Sequence, residues 1–485
     1  MTDRARDLFL RTGIFAAALL PRAVLSYVTL GAVDAIHDFR NTVRVLENVP
    51  TPVPYLPNFD LWVWLGGKIA YYTPLPATFS YKILLVVADA LIALLLFDAE
   101  PNRRDGVRNG LLYAIAPVPV YIVAIHHSWD SFCLYFLLLT LVLLRARKDA
   151  AAGAAFVVSN ILKPLSAPLA LILLPPAWKR TRAVVAGAVA MVVAYLVLLY
   201  AIGRPLTLDD VRAVVRYASG GVQLFGLPTR PHDRLWIVLP VTAAVTALYF
   251  SKRVTRDEGV LLFFAATVGL SGLTANYLCW VVPFALLCRR NNFLAIYTAA
   301  AGVFLVIYYR SPVLNLTNID NLGAYGMLRP LGGWTPTLAG ERWQDAIRLL
   351  GNLVVPLLFL GYAAYIVVRA ILRKERVDEP VSPPGTLRYA LPAACFAIFI
   401  AALLVWAAMK PPLRSAPFIV TIERKIAAYD VVRYRGPGLL NRGQKTWIGR
   451  TFLDPRASNP ILNLSNVGLA WVLAASAATA LWRPR

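Results

Sequence analysis

The chain has 485 residues, of which 58% are hydrophobic and only 15% charged, and its mean hydropathy is +0.60. That balance excludes an ordinary soluble domain; apolar runs separated by short charged loops describe an all-α polytopic membrane protein. Lys plus Arg number 49 against 26 Asp plus Glu, a formal net charge of +23, which has two sources in such a chain: loops that fix topology and pockets that hold anionic lipid or phosphate.

At about 20 residues per crossing, and fewer where helices pair or re-enter, the chain reads as a bundle of about twelve to fourteen membrane segments. They are 10–31, 80–97, 109–126, 130–145, 150–163, 165–177, 183–202, 235–250, 260–275, 277–288, 293–309, 347–371, 388–409 and 462–483. Residues 1–409 form the main transmembrane domain, 410–461 a basic loop or small subdomain outside the membrane, and 462–485 the last helix. No small-residue cleavage pattern follows the first run, which contains Arg22, so a cleavable signal peptide is not expected. Cys133, Cys279, Cys288 and Cys395 lie within or at the ends of apolar runs without paired spacing and read as packing residues.

After the first run, the loop 32–79 begins with AVDAIHDFRNTVRVLEN. Val33, Ile36, Phe39 or Arg40, Val43 and Leu46 recur at helical spacing, which predicts a short helix lying in the membrane interface. Asp34 and Asp38 share one face of it, a turn apart, with His37 between them. Asp34 is placed either to act as a general base toward an acceptor hydroxyl or simply to favour the positive end of a helix dipole.

Asp89 falls within the second apolar run and requires a partner, for which a lysine or arginine from another helix is the natural choice. His126, His127, Ser128, Trp129 and Asp130 join the third and fourth runs. Asp130 suits the start of a helix, while two histidines, an indole and an acid in one turn form a polar cluster that is costly at a membrane unless it pairs or serves a site. Lys163-Pro164 then breaks the apolar stretch 150–176, predicting two short segments that meet at a bend. Lys163 there either snorkels to the surface or offers its ammonium to a lipid phosphate. Asn276, Tyr277 and Trp280 occupy a later turn, where Tyr277 and Trp280 serve first as interfacial belt residues and second as a stacking surface for a sugar or a wall for a lipid tail.

Tight Lys/Arg clusters at 102–108, 145–148, 179–182, 252–256, 289–290 and 373–376 fall on one side when the runs alternate, predicting that this side is cytoplasmic. The long loops 32–79, 203–234, 310–346 and 410–461, with His37, His126, His127 and His232, fall on the other. Loop 410–461 is itself rich in Lys and Arg, which reads as a solvated domain or as an anion-binding cap.

The acidic first loop, Pro50–Pro57, Asp89, the run APVPVYIVAIHHSWD ending at Asp130, Lys163-Pro164 and Asn276–Pro283 together resemble the multi-spanning glycosyltransferases of the GT-C superfamily. The resemblance covers roughly residues 10–310 and is nearest to mannosyltransferase-like members of the PIG-M type and their prokaryotic relatives. Trp129 and Asp130 match a Gly-Gln-Trp-Asp motif of prokaryotic relatives, whereas His127 and Ser128 depart from it; His37 stands where relatives often have a tyrosine. The resemblance implies inverting transfer of a mannose-like hexose from a polyprenyl-phosphate donor to an acceptor hydroxyl at the extracytoplasmic face of the cell membrane. It assigns Asp34 as base, Asp38, His37 and Asp130 to orienting the base or the sugar, and Lys163 with Arg204 or Arg230 to the phosphate; His126, His127, Asn276, Tyr277 and Trp280 join the substrate-binding set. No cofactor is required and no metal is predicted, although the acids and histidines leave room for a divalent ion. The implied partners are membrane lipid, the donor and a glycan, glycolipid or protein acceptor, and nucleic acid is not among them.

Two other classes fit an oily basic chain. A transporter or flippase of lipid-linked sugars should show paired halves with interrupted spans at matching positions, and no internal repeat is present. An O-antigen-type ligase or polymerase should show one dominant outer loop rich in arginine and histidine, and loop 410–461 has the arginine without the histidine.

Overall fold

A computed structural model describes residues 3–28, 65–66, 69, 73, 75, 77–126, 128–201, 205–212, 223–224, 227–228, 233–271, 275–308, 353–373, 419–426, 429–435, 445–449 and 465–481. Asp34, His37, Asp38, His127, Arg204 and Arg230 lie outside these residues, as does the expected segment 388–409.

The apolar part is helical, as its composition requires. Helix α1 (Asp3–Val28) and α2 (Ala77–Ala99) pack together, and α2 also meets α3 (Arg103–Ile115) and α5 (Asp130–Arg145). Helix α2 is buried on nearly every side, because its Leu, Ile, Val and Ala run has no polar face to turn outward. Asn102 caps α3 by accepting from Arg104 N at 3.0 Å. Helix α3 ends at Ile115, one residue before Ala116-Pro117, since a residue preceding proline is driven out of helical geometry. Pro117 then opens α4 (Pro117–Tyr121), which runs into a π-helical turn, Ile122–His126.

Helix α6 (Asp149–Leu162) lies against α5 and against α8 (Trp178–Ala201); between α6 and α8 come a 3-10 turn, Pro164–Leu169, and the short α7 (Ala170–Leu173). Gly153 and Gly187 set the contact between α6 and α8: a Cβ on Gly153 would lie 1.9 Å from Val184 O, and one on Gly187 1.8 Å from Ala150 O. Only bare backbone fits there, which is the usual way apolar helices approach without a solvent driving force. Helix α9 (Asp233–Phe250) packs on α10 (Arg256–Ser271), and a 3-10 turn, Ala275–Trp280, leads into α11 (Val281–Leu287). Helices α12 (Asn291–Tyr308), α13 (Val355–Leu372) and α14 (Ser465–Leu481) complete the described bundle.

Among the described residues three helices are long and apolar enough to cross a membrane: Ala5–Tyr27, Trp178–Tyr200 and Val355–Leu372. A fourth is present if Arg103–Ile115 and Pro117–His126, bent by 44°, count as one. Asp149–Leu162, Pro164–Leu173 and Asn276–Leu287 are shorter apolar helices, in keeping with a sequence that breaks its runs at Pro164 and Asn276.

The strands fall in stretches read from sequence as loops. β1 (Gln223–Leu224) pairs with β2 (Leu227–Pro228), and β3 (Ile419–Ile426), β4 (Tyr429–Arg435) and β5 (Lys445–Gly449) form an antiparallel meander in the order β3-β4-β5. A register shift between Ile422 and Arg424 interrupts the β3-β4 ladder. The all-α expectation therefore holds for the bundle but not for 410–461, where IVTIERKI and YDVVRYR carry the β-branched and aromatic residues of strands.

Helices α5, α9 and α11 end in the same way. Arg147, Lys252 and Arg289 adopt positive φ of 57°, 57° and 56°. The next residue returns its N–H to the helix in each case: Lys148 to Leu143 O at 2.8 Å, Arg253 to Leu248 O at 2.9 Å and Arg290 to Ala285 O at 2.8 Å. These are Schellman endings with a basic residue where glycine is commonest, and the positive charge answers the negative end of the helix dipole.

The helix ends bearing these basic residues are tied into one ionic layer. Arg11 pairs with Asp98, Arg103 with Asp7, Arg289 with Glu100 and Arg180 with Asp149. Arg145 meets Asp257, and Glu258 receives both Arg290 and Arg373. The basic clusters expected to share one side of the chain thus share one end of the bundle.

Candidate functional site

Asp130 is the first residue of α5, at the end opposite Arg145 and about 24 Å from the ionic layer at 1.5 Å per residue. The helix start positions its carboxylate: Ser128 Oγ donates to Asp130 Oδ2, and Asp130 N donates back to Ser128 Oγ at 3.3 Å. Lys163 follows the last residue of α6, where Pro164 turns the chain into the 3-10 segment. Its Nζ donates to Asp130 Oδ1 at 2.7 Å, and both residues are buried, at 4% and 0% exposure. Lys163 Nζ also lies 5.1 Å from the centre of the Tyr277 ring, within cation-π range. Three separated segments therefore converge on one charge pair.

The bend that carries Lys163 is pinned by hydroxyls. Ser159 Oγ donates to Cys133 O at 2.9 Å and lies 3.2 Å from Ser166 Oγ, and Ser166 Oγ donates to Asn160 Oδ1 at 3.1 Å. Small polar side chains of this kind satisfy backbone freed by proline inside an apolar bundle. Lys163 is thus a buried ion-paired residue, which corrects the snorkelling alternative: its ammonium finds Asp130 rather than the surface.

A second buried network adjoins the first through Ser131. Asp89 accepts from Arg22 Nε at 2.5 Å, Tyr113 Oη at 2.8 Å and Ser131 Oγ at 3.1 Å. Arg22 spends its remaining donors on Ala18 O at 2.8 Å, Ala114 O at 3.0 Å and Tyr113 O at 3.3 Å. The partner expected for Asp89 is therefore the arginine inside the first apolar run. Lys82 Nζ donates to Ala124 O, in the π-helical turn, at 3.0 Å. That turn ends at His126, which is buried.

Asn276 and Tyr277 are half-buried in the 3-10 turn, whereas Trp280 is 1% exposed and packs on Phe264, ring centres 4.7 Å apart. The belt assignment thus fails for Trp280, whose indole is drawn inward by a Phe264, Phe263 and Phe284 cluster. Beside it is an apolar cleft of about 110 Å³, walled by Pro164 and Pro168 of the bend, Leu235 and Val238 of α9, Phe264 and Thr267 of α10, and Tyr277. Tyr277 is the residue shared by the charge pair and the cleft.

Of the residues singled out from sequence, Asp130, Lys163 and Tyr277 come together, and Trp280 also lines the cleft. Ser128, Ser131, Tyr113, Arg22 and Lys82 belong to the same polar interior and were missed as site residues. Their signal was a charge or hydroxyl inside an apolar run, which marks a buried partner without naming it. Among the described residues no three His, Cys, Asp or Glu side chains are grouped as metal ligands. Chemically, the site offers a fixed cation and carboxylate next to an aromatic face and an apolar cavity, a setting for an amphiphile with an anionic or hydroxylated head. Comparison with protein-family models and with curated proteins returns no match.

Proposed function

We propose that the chain is a multi-pass GT-C-type inverting glycosyltransferase acting at the extracytoplasmic face of the cell membrane. Its donor is a polyprenyl-phosphate-linked, mannose-like hexose and its acceptor a hydroxyl. The observation that carries the reading is the buried Lys163–Asp130 pair against Tyr277, beside an apolar cleft and at the end of the bundle remote from the basic layer. Buried charge in an apolar bundle is expensive and marks function by default. A lipid-linked sugar phosphate needs this combination: apolar space for the chain, cations for the phosphate and polar groups for the sugar.

In the proposed reaction the acceptor oxygen attacks the anomeric carbon as Asp34 takes its proton. The bond from that carbon to the phosphate oxygen breaks, the electron pair leaves with the polyprenyl phosphate, and displacement from the opposite face inverts the anomeric centre. Lys163, with Arg204 or Arg230, steadies the phosphate, and Asp130 holds Lys163 in place.

The test is transfer from a radiolabelled polyprenyl-phosphate mannose by purified protein in lipid. Wild type forms an inverted glycoside and Asp34→Asn reduces turnover at least about 100-fold, the usual share of a general base. Transfer by Asp34→Asn at the wild-type rate removes Asp34 from the mechanism.

A further inference from the structure

Ionic pairs elsewhere at the basic end of the bundle balance, but those around Glu258 do not. Arg145 meets Asp257 and Arg180 meets Asp149 singly, and Arg11 with Arg103 shares Asp7 and Asp98. Glu258 instead meets two cations: Arg290 Nη2 on Oε1, and Arg373 Nη1 at 3.5 Å from Oε2. A third is held beside them, because Arg253 donates to Arg373 O while Arg373 Nη1 donates to Arg253 O at 3.3 Å. Among the described residues Arg253 has no carboxylate of its own, so three guanidinium groups share one acid.

Glu258 is fixed there by the start of α10. Glu258 N donates to Thr255 Oγ1 and Thr255 N to Glu258 Oε2, each at 3.2 Å, a capping box that holds the acid whatever surrounds it. Helix dipoles do not cancel the excess of two positive charges that remains. The C-terminal ends of α9, α11 and α13 each bring about half a negative charge, but the N-terminal ends of α10 and α12 each bring about half a positive one, so together they offset only about half a charge. Guanidinium groups gathered in this way repel one another unless an anion lies among them. The neighbourhood says what kind of anion. Phe250 of α9 and Ile371 and Leu372 of α13 stand one to three residues from Arg253 and Arg373, and all three are exposed. Cations joined to exposed apolar helix faces suit an anionic lipid, with its phosphate on the guanidinium groups and its acyl chains along the helices.

We infer that Arg253, Arg290 and Arg373, where α9, α10 and α13 meet, bind the phosphodiester headgroup of an anionic phospholipid, which supplies the counter-charge that Glu258 leaves unmet and ties these helix ends together. The proposed topology puts this headgroup in the cytoplasmic leaflet. The site is separate from the Lys163–Asp130 pair, and its occupancy does not depend on sugar transfer.

The test uses the full chain in detergent and native mass spectrometry, titrating dioleoyl phosphatidylglycerol against dioleoyl phosphatidylcholine, which has the same chains and phosphate without the net charge. Wild type binds the anionic lipid about tenfold more tightly, and Arg253→Gln and Arg373→Gln each cut that preference about fivefold, the share of one cation at a headgroup. Arg182→Gln, which alters an exposed arginine of α8 at the same end of the bundle, leaves it unchanged. Glu258→Gln keeps an acceptor for the cap but removes the negative charge and so raises the preference, a direction that a poorly folded variant would not take. Equal binding of the two lipids by wild type overturns the proposal and assigns the counter-charge to an acid such as Glu375, outside the described residues. An equal loss in Arg182→Gln and Arg373→Gln, which means general attraction to a basic surface, overturns it as well, as does displacement of the lipid by equimolar inorganic phosphate. Because binding is read without donor or acceptor, failure here leaves the Asp34→Asn transfer assay standing, and failure of that assay leaves this site standing.

Discussion

Lys163 Nζ donates to Asp130 Oδ1 at 2.7 Å from a different segment of the chain, and neither side chain reaches the surface. An ion pair in such a place gains little net stability when whole, yet its halves are costly apart, because each leaves an unpaired charge in a poor solvent. Lys163→Met and Asp130→Asn are each expected to destabilise the folded protein by about 3–5 kcal/mol. The double variant should regain most of that loss, since it buries no net charge. Thermal unfolding of the solubilised protein gives the cycle; losses that simply add would show that the two residues act separately.

Arg22 and Asp89 make the second such pair, and here geometry matters as well as charge. Arg22 uses its planar fork to reach Asp89, Ala18 O, Ala114 O and Tyr113 O at once. A lysine carries the same charge on a point donor and cannot satisfy those carbonyls together. Arg22→Lys is therefore expected to cost about 2–4 kcal/mol, in the range for leaving one or two buried acceptors unpaired. Tyr113→Phe, which removes one of the bonds on Asp89, should cost about 1–3 kcal/mol. Equal melting temperatures for wild type and Arg22→Lys would contradict the network.

Much of this arrangement could be read from the sequence, and the reason lies in the kind of signal each part gives. Segment 130–145 has its observed bounds because an acid opens it and Arg145 closes it. The bend at Lys163-Pro164 and the need of Asp89 for a cation were legible because proline and buried charge each have few solutions. The pairing of Lys163 with Asp130 was not, since nothing local links residues 33 positions apart. Trp280 was misjudged for a related reason: an aromatic at the end of an apolar run looks the same whether it faces headgroups or Phe264. The strands of 419–449 are hidden by their charge, because Glu423, Arg424, Lys425, Arg433 and Arg435 interrupt the short β-branched runs Ile419–Ile422 and Val431–Val432. The proposed base, Asp34, rests on sequence alone.

Gly153 and Gly187 govern the seating of α8, which otherwise exposes a broad apolar face. Either residue changed to Val must push backbone away from backbone, because the atoms in the way are carbonyl oxygens rather than side-chain tips. Gly187→Val is expected to lower the melting temperature by several degrees, equivalent to about 1–3 kcal/mol for an overpacked contact. Gly13→Ala is the internal control: nothing lies within 4 Å of a Cβ there, so it should be neutral or slightly stabilising through helix propensity. A Gly187→Val protein as stable as Gly13→Ala would mean that α8 is not held by close approach to α6.

The two ends of the bundle make a prediction about sidedness. Arg104 is exposed at the ionic layer, where Arg103 meets Asp7. Asp209 is exposed too, with 88% of its side chain accessible. It follows the end of α8 that lies remote from Arg180, across a helix of 24 residues, about 36 Å long. Positive loops are retained in the cytoplasm, so the proposed topology puts the ionic layer inside and Asp209 outside. In a background with the four native cysteines replaced, an impermeant maleimide applied to intact cells should label Asp209→Cys. It should reach Arg104→Cys only after the membrane is opened. The reverse pattern would place Lys163 and Asp130 on the cytoplasmic side, and an extracytoplasmic transfer from a lipid-linked sugar could not then be carried out by this site.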